Sequence, residues 1–395
     1  MPQAAKVVAV RAHLQPIIAG VLVVFACLGL ARFAFGMILP SMQGELLMDA
    51  TEAGIVGSAN FVGYFIGLFV TSPFYRKFGA ATLITRSLLT QALSMGLMVL
   101  APNYWSAALI FSITGFFGAL ANIAIMTYIA QVVPSHIKGQ ATGLVVAGIG
   151  FGIITSGVIV PYLEFFPFPE WRLGWSLFAL IIMLIAWFAH GTLKAFAIHS
   201  SFSSDYDALE FKTILSSRAF LKTGVLFGIF GMTAIMYMTF FVLTAVRKWG
   251  VSTEISGIFW SILGFASLFS GPLFGMVSDR LGRHKTLGVL FLLQAVAHSM
   301  LASSLPPSWL FVSATLFGLS TWAVPSIMAT LSAELFGIHH TARILSLLTL
   351  FFGVGQIAGP LLSGVMIDFT GDFNVSFITS SLCLVGAGVL SWISL

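Results

Sequence analysis

Apolar residues run along this chain in long unbroken stretches, and polar residues gather in short knots between them. Twelve stretches approach or exceed the roughly 20 residues with which a helix crosses a bilayer. They cover about 15–40, 53–75, 80–100, 104–131, 139–162, 172–193, 219–246, 255–277, 284–304, 308–332, 343–367 and 374–395. Most are apolar nearly all round, so the pattern predicts membrane helices without saying which face of each looks inward. The longest polar segment, 194–218 (KAFAIHSSFSSDYDALEFKTILSSR), falls after the sixth stretch. It predicts a cytoplasmic tether between an N-terminal bundle, 1–193, and a C-terminal bundle, 219–395, of six helices each. The expected fold class is an all-α polytopic membrane protein.

An internal repeat supports the division. The knot GMVSDRLGRHK, Gly275 to Lys285, joins the eighth and ninth stretches, and a degraded copy, SPFYRKFGAAT, joins the second and third. Aligning Gly79 with Gly282 sets an offset, and the same offset carries Gly115 onto Gly318. Two landmarks on one offset indicate a duplicated half-chain. The copies differ where it matters: Asp279 of the second knot corresponds to Arg76 of the first, so any charge latch in the first half is expected to be weaker or differently built, and the second knot to carry the latch.

Composition adds that the chain is a membrane protein throughout, since 58% of its residues are apolar and 8% charged, far from soluble domains. The net charge of +5 reports topology. With a cytoplasmic N-terminus, fourteen Lys and Arg fall on the cytoplasmic side and only Arg172, Arg247 and Lys248 opposite, the positive-inside bias of an inner-membrane protein. Nucleic acid is therefore not an expected partner. Lys6 and Arg11 before the first stretch imitate a secretory leader, but the stretch is too long and no small-residue cleavage site follows. Cys27 and Cys383 lie in separate stretches and read as packed thiols. The acidic first outer loop (Glu45, Asp49, Glu52) reads as a solvated face.

Arg32, in GLARFAFGMILPSM, is the only charged residue well inside any stretch. A central arginine costs about 2.5–3.5 kcal/mol on insertion scales, usually met by a watery cavity or a counter-charge. The alternative is snorkelling toward the outer end near Pro40. Other polar or aromatic groups near mid-span are Asn60, Tyr64, Asn122, Tyr237, Thr239, Trp260, Trp322 and Gln356, which are candidates to line a substrate site. Each also has a packing role open to it. His298 is the one deep side chain of a type that titrates near neutrality, and reads either as proton-linked or as a packed, hydrogen-bonded histidine. Helix 5 (Gly143, Gly148, Gly150, Gly152, Gly157) and helix 11 (GVGQIAGPLLSG) carry small residues that let helices approach closely, expected where two bundles rock on each other.

The pattern G-x-x-x-D-R-x-G-R-x-K resembles the signature of the major facilitator superfamily. The combination of GLARFAFGMILPSM, WRLGW, FGMTAIMYMTFF and FWSILGFASLFSGPLFGMVSDRLGRHK is similar to its bacterial YbfB/YjiJ-type branch. The resemblance implies two pseudo-symmetric six-helix bundles around a central cavity and alternating access. It implies a cytoplasmic hinge at Gly275, Asp279, Arg280, Gly282 and Arg283, and more weakly at Lys77 and Gly79. Two positions depart from superfamily proton antiporters: Phe111 stands where an arginine is usual, and Ile153 where a proline is.

No catalytic constellation, nucleotide-binding loop or metal-ligand spacing is present, so no enzyme, cofactor or metal is expected. The leading expectation is a monomeric secondary transporter in a bacterial inner membrane, moving a small organic anion anchored by Arg32. Exchange against a counter-substrate, uniport and proton symport all fit. The alternative is a proton-coupled efflux pump for hydrophobic compounds, favoured by the aromatic content and disfavoured by Phe111 and by the absence of deep carboxylates.

Overall fold

A computed structural model of the chain describes residues 14–134, 136–195, 215–337 and 340–393. Most of the expected tether (196–214), Lys6, Arg11 and His339 lie outside the described residues. The regular elements within them are all helical, and we number the long helices α1 to α12. They are α1 Leu14–Leu46, α2 Ala50–Phe78, α3 Ala80–Met98, α4 Tyr104–Val132, α5 Lys138–Phe165 and α6 Glu170–Ala195. The second set is α7 Arg218–Trp249, α8 Thr253–Leu281, α9 Arg283–Ala302, α10 Trp309–Phe336, α11 Thr341–Thr370 and α12 Phe373–Trp392. Eleven of them are long and apolar enough to cross a membrane by length and composition. The remaining one, α3, is more polar, with Thr85, Ser87, Thr90, Gln91 and Ser94 along it.

The duplication extends to the backbone. The offset that joins Gly79 to Gly282 also carries the first and last residues of α2 onto those of α8. Each helix is followed by a glycine with positive φ, +73° at Gly79 and +88° at Gly282, a conformation that a side chain disfavours. Contacts repeat as well. A Cβ on Gly115 would meet the Asn60 carbonyl oxygen, and one on Gly318 would meet that of Leu263, positions related by the same offset.

Two compact units result, residues 1–47 with 59–201 and residues 48–58 with 202–395. In the first, Trp171, Trp175, Phe178 and Phe111 are fully buried. Glu45, which reads from sequence as solvated, instead accepts from Trp171 Nε1 and pairs with Arg172 at 2.9 Å. It ties the end of α1 to the start of α6. In the second unit Tyr237, Phe241, Trp260, Phe291, Phe317 and Phe377 are buried. Lys248, at the end of α7, donates to the Leu301 and Ser303 carbonyls and to Asn374 Oδ1. The first turn of α2 belongs to this unit, where the Asp368 carboxylate accepts from the Ala50 and Thr51 N–H groups. This is a favourable placement of negative charge at a helix start. Large apolar side chains such as Phe69, Leu93, Trp187 and Leu382 are exposed on these helices, as a lipid-facing surface requires.

Three helices depart from regular α geometry, each for a local reason. α10 breaks at Trp322 because Pro325 cannot bond the Thr321 carbonyl and crowds it. The Ala323 N–H released there donates to Ser270 Oγ at 2.8 Å. α5 breaks at Ala147, within its glycine-rich stretch, and ends in a 3-10 turn, Val160–Phe165. α1 is wound as a π-helix over Phe25–Phe33, where Ala34 N–H donates to the Gly29 carbonyl at 3.1 Å, five positions back. Tertiary contacts hold that widened segment. Gly29 faces Gly152 so closely that a Cβ would lie 2.8 Å from the Gly152 Cα. On another side Gln91 Nε2 donates to the Cys27 carbonyl at 3.1 Å and to that of Thr114 at 3.0 Å. Gly148 and Gly152 thus pack α5 on α1 inside one unit, a use of the helix 5 glycines that the sequence pattern does not reveal.

Candidate functional site

Arg32 sits in the last turn of the π-helical segment and is 7% exposed. It is the only Lys, Arg, Asp or Glu among the buried described residues. Its guanidinium lies over two rings of α2, with Cζ 4.0 Å from the Phe61 centroid and 4.2 Å from the Tyr64 centroid. The side chain therefore turns onto α2 instead of reaching for the outer end of its own helix. A cation–π contact contributes about 0.5–1 kcal/mol at an exposed site and about 2 kcal/mol when desolvated. Two of them offset much of the roughly 2.5–3.5 kcal/mol that a buried arginine costs.

The rings leave the guanidinium edge unanswered. Nε and Nη2 are both buried and have no hydrogen-bond partner, and no ion pair of the described residues involves Arg32. Nε–H and one Nη2–H point the same way within the guanidinium plane. Together they form the two-pronged donor that fits a carboxylate bidentately. Beside them Asn122 Nδ2 donates to the Tyr64 hydroxyl at 2.9 Å, which orients the phenol and leaves its own O–H as a further donor. The arrangement offers donors and apolar ring faces, with a positive charge in the middle.

Other residues singled out from sequence fall in different places. Asn60 is buried and donates to the Phe111 carbonyl at 3.1 Å, so its amide faces the backbone of α4. Its neighbour Phe61, absent from the sequence candidates, is the residue that meets Arg32. In the second unit Tyr237 stacks on Phe317 at 3.8 Å between centroids and its hydroxyl bonds Ser313 Oγ at 2.7 Å. Trp260 joins this cluster through Phe241. His298 is buried in the same cluster, 5.0 Å from the Tyr237 ring. Its ring nitrogens lie 2.8 and 3.1 Å from the Gln294 and Thr233 carbonyl oxygens. Thr239 and Gln356 are buried on α7 and α11, and Trp322 marks the break in α10.

The second knot is a charge cluster. Arg283 donates through Nη1 to Asp279 at 2.6 Å and to Ser278 Oγ at 3.0 Å, and through Nε to Glu334 on α10 at 2.9 Å. Gly275 lies within α8, and Arg280 is exposed in its last turn. In the first half the corresponding end of α2 is built differently: Lys77 and Arg86 stand 5.3 and 5.1 Å from the Phe78 ring. Among the described residues no group of three or more His, Cys, Asp or Glu is placed to hold a metal ion.

Known proteins with the same pattern are transporters. The multi-drug resistance efflux pump PmrA of Streptococcus pneumoniae is 25% identical over 321 residues, 78% of this chain and 77% of that one. The hexuronate transporter of Bacillus subtilis is 23% identical over 372 residues, covering 88% and 87%. Among solved structures, a D-xylose-proton symporter superposes with a TM-score of 0.76 at 16% identity, over 96% of each chain, which shows the fold. The family described as "Uncharacterised MFS-type transporter YbfB" matches residues 24–392. The chain is a multi-pass membrane transporter, not an enzyme, and it belongs to this YbfB-type family of the major facilitator superfamily.

Proposed function

We propose that the chain is a secondary transporter for a small organic anion bearing a carboxylate, with Arg32 as its anchor. The observation that carries this reading is the buried Nε/Nη2 edge of Arg32, which has no acceptor of its own. An isolated buried cation with two parallel donors is best answered by a planar carboxylate. Phe61 and Tyr64 contact the same guanidinium and would offer ring faces to the apolar part of the substrate. Tyr64 and Asn122 would supply orienting hydrogen bonds. The relative named for hexuronate, a sugar carboxylate, supports the class.

The wider reading keeps Asn60, Tyr237, Thr239, Trp260, Trp322 and Gln356 as candidates for substrate contact in later steps of an alternating-access cycle. Gly275, Asp279, Arg280, Gly282, Arg283, Lys77 and Gly79 form the proposed cytoplasmic hinge. The protein would work as a monomer in the bacterial inner membrane, N-terminus inside. A second reading, efflux of hydrophobic compounds, is favoured by the relative named as a multi-drug pump and by the aromatic rings around Arg32. Uptake of radiolabelled carboxylates into proteoliposomes separates the two. Carboxylate flux that Arg32→Ala abolishes while the protein stays folded supports the anion reading. Flux of lipophilic dyes alone, unchanged in Arg32→Ala, supports efflux and overturns it.

A further inference from the structure

We infer that the transporter is an obligate exchanger, one that crosses the membrane readily only with an anion bound. The inference rests on the anion reading above and concerns how that same site is coupled. Its basis is the charge state of the empty site. Arg32 is the only Lys, Arg, Asp or Glu among the buried described residues. Its Nε and Nη2 have no partner, and no carboxylate of the described residues pairs with it.

An empty site is therefore a cation whose donor edge has been taken out of the membrane's aqueous surroundings without an acceptor. Any alternating-access step passes through a closed state, and there the two ring contacts offset only part of the cost of Arg32 while its Nε/Nη2 edge stays without an acceptor. A bound carboxylate cancels the charge and fills both donors, so the loaded site closes at far lower cost. The return of the empty transporter is then the slow step, and it is avoided when a second anion makes the return trip.

Compensation by a proton would need a group that becomes less positive when the substrate leaves. A carboxylate beside Arg32 would serve, ionising as the anion departs, and none is present among the buried described residues. His298 does not serve in its place. Its ring nitrogens lie against the Gln294 and Thr233 carbonyls, and the rings packed around it are Tyr237, Phe317 and Phe377, so Arg32 is not among the groups it contacts. No charged side chain contacts its ring in this cluster, and protonating it would add a second positive charge without cancelling the first. Tyr64, whose ring meets the Arg32 guanidinium, has its hydroxyl hydrogen-bonded by Asn122 and brings no carboxylate to the site.

The test uses the purified full chain in proteoliposomes with radiolabelled D-glucuronate, L-lactate and benzoate, membrane potential clamped with valinomycin and potassium. Arg32-dependent binding is first established for each anion by equilibrium titration of wild type and Arg32→Ala. For an anion that binds, release of internal label is followed into buffer containing the same unlabelled anion and into anion-free buffer, each with and without a pH gradient. The inference expects release to be at least tenfold faster against external anion and indifferent to the gradient. Equal release in both buffers would overturn exchange while leaving anion binding at Arg32 intact. Net movement driven by the pH gradient would overturn it in favour of proton coupling. If none of the three anions binds in an Arg32-dependent way, the anion reading itself fails, and the exchange inference with it.

Discussion

Replacing Gly115 by alanine should cripple the candidate site from a distance, and the size of the effect follows from one contact. A Cβ on Gly115 would lie 2.7 Å from the Asn60 carbonyl carbon and closer still to its oxygen. Both are backbone atoms, so no side-chain rotation relieves the overlap. Ordinary contact begins near 3.4 Å, so α2 and α4 must move apart at this level. Gly63 and Gly67 on α2 also pack closely on α4, so the strain spreads along the helix pair. Overpacking of this kind costs about 1–3 kcal/mol. Phe61 follows Asn60 directly and Tyr64 is one turn further on, so moving α2 carries both rings away from the Arg32 guanidinium.

Gly318→Ala makes the matching change in the second unit, where the Cβ would lie 3.2 Å from the Leu263 carbonyl carbon and closer to its oxygen. Gly96→Ala, with nothing within 4 Å, is the neutral control. Thermal unfolding in detergent should show both packed-glycine variants destabilised and Gly96→Ala, inside α3, at or slightly above wild type. Titration with a carboxylate ligand should show weaker binding in Gly115→Ala well beyond that in Gly318→Ala. Wild-type stability and affinity in Gly115→Ala would refute the reasoning that helix spacing places the rings.

Other perturbations test separate parts of the account. Gln91→Leu removes donors to the Cys27 and Thr114 carbonyls. At about 1–3 kcal/mol for a buried polar group left unsatisfied, it should speed amide exchange in Phe25–Phe33 as read by mass spectrometry. Exchange at the wild-type rate would show that Gln91 does not hold the π segment. Arg283→Ala breaks pairs whose acids are mostly exposed, so its unfolding free energy should fall by about 1 kcal/mol or less. Gly282→Ala, strained at φ +88°, should cost as much or more. A larger loss from Arg283→Ala in a thermal melt would mean that the cluster is a structural latch, beyond a surface network.

The bilayer pattern and the duplication are legible because both are written in strong signals. Apolar runs of bilayer length have few other uses, and the positive-φ glycines Gly79 and Gly282 mark the same turn twice. Arg32 is legible because a charge in an apolar run is conspicuous. Its surroundings are harder to read. Helices that are apolar on all sides do not reveal which residues face one another, so the hydroxyl of Tyr64 stands out in the sequence while Phe61 does not. Asn60 is conspicuous as a polar residue, yet its amide nitrogen donates to the α4 backbone. The π-helical winding has no local pattern of its own. It depends on Gly152 and Gln91, which come from other helices far along the chain. Glu45 looks like loop solvation because its partners, Trp171 and Arg172, come from the far end of the same unit.

The most direct test of the central claim is the equilibrium affinity for a carboxylate ligand of wild type, Arg32→Lys and Arg32→Ala, measured by calorimetry on folded, monodisperse protein. Lysine keeps the positive charge but loses the two-pronged donor, and alanine loses both. The account predicts a graded loss, with Arg32→Lys weaker than wild type by at least tenfold and Arg32→Ala showing no measurable binding. Wild-type affinity in Arg32→Ala would contradict it, because the substrate would then be held without the one charge buried among the described residues.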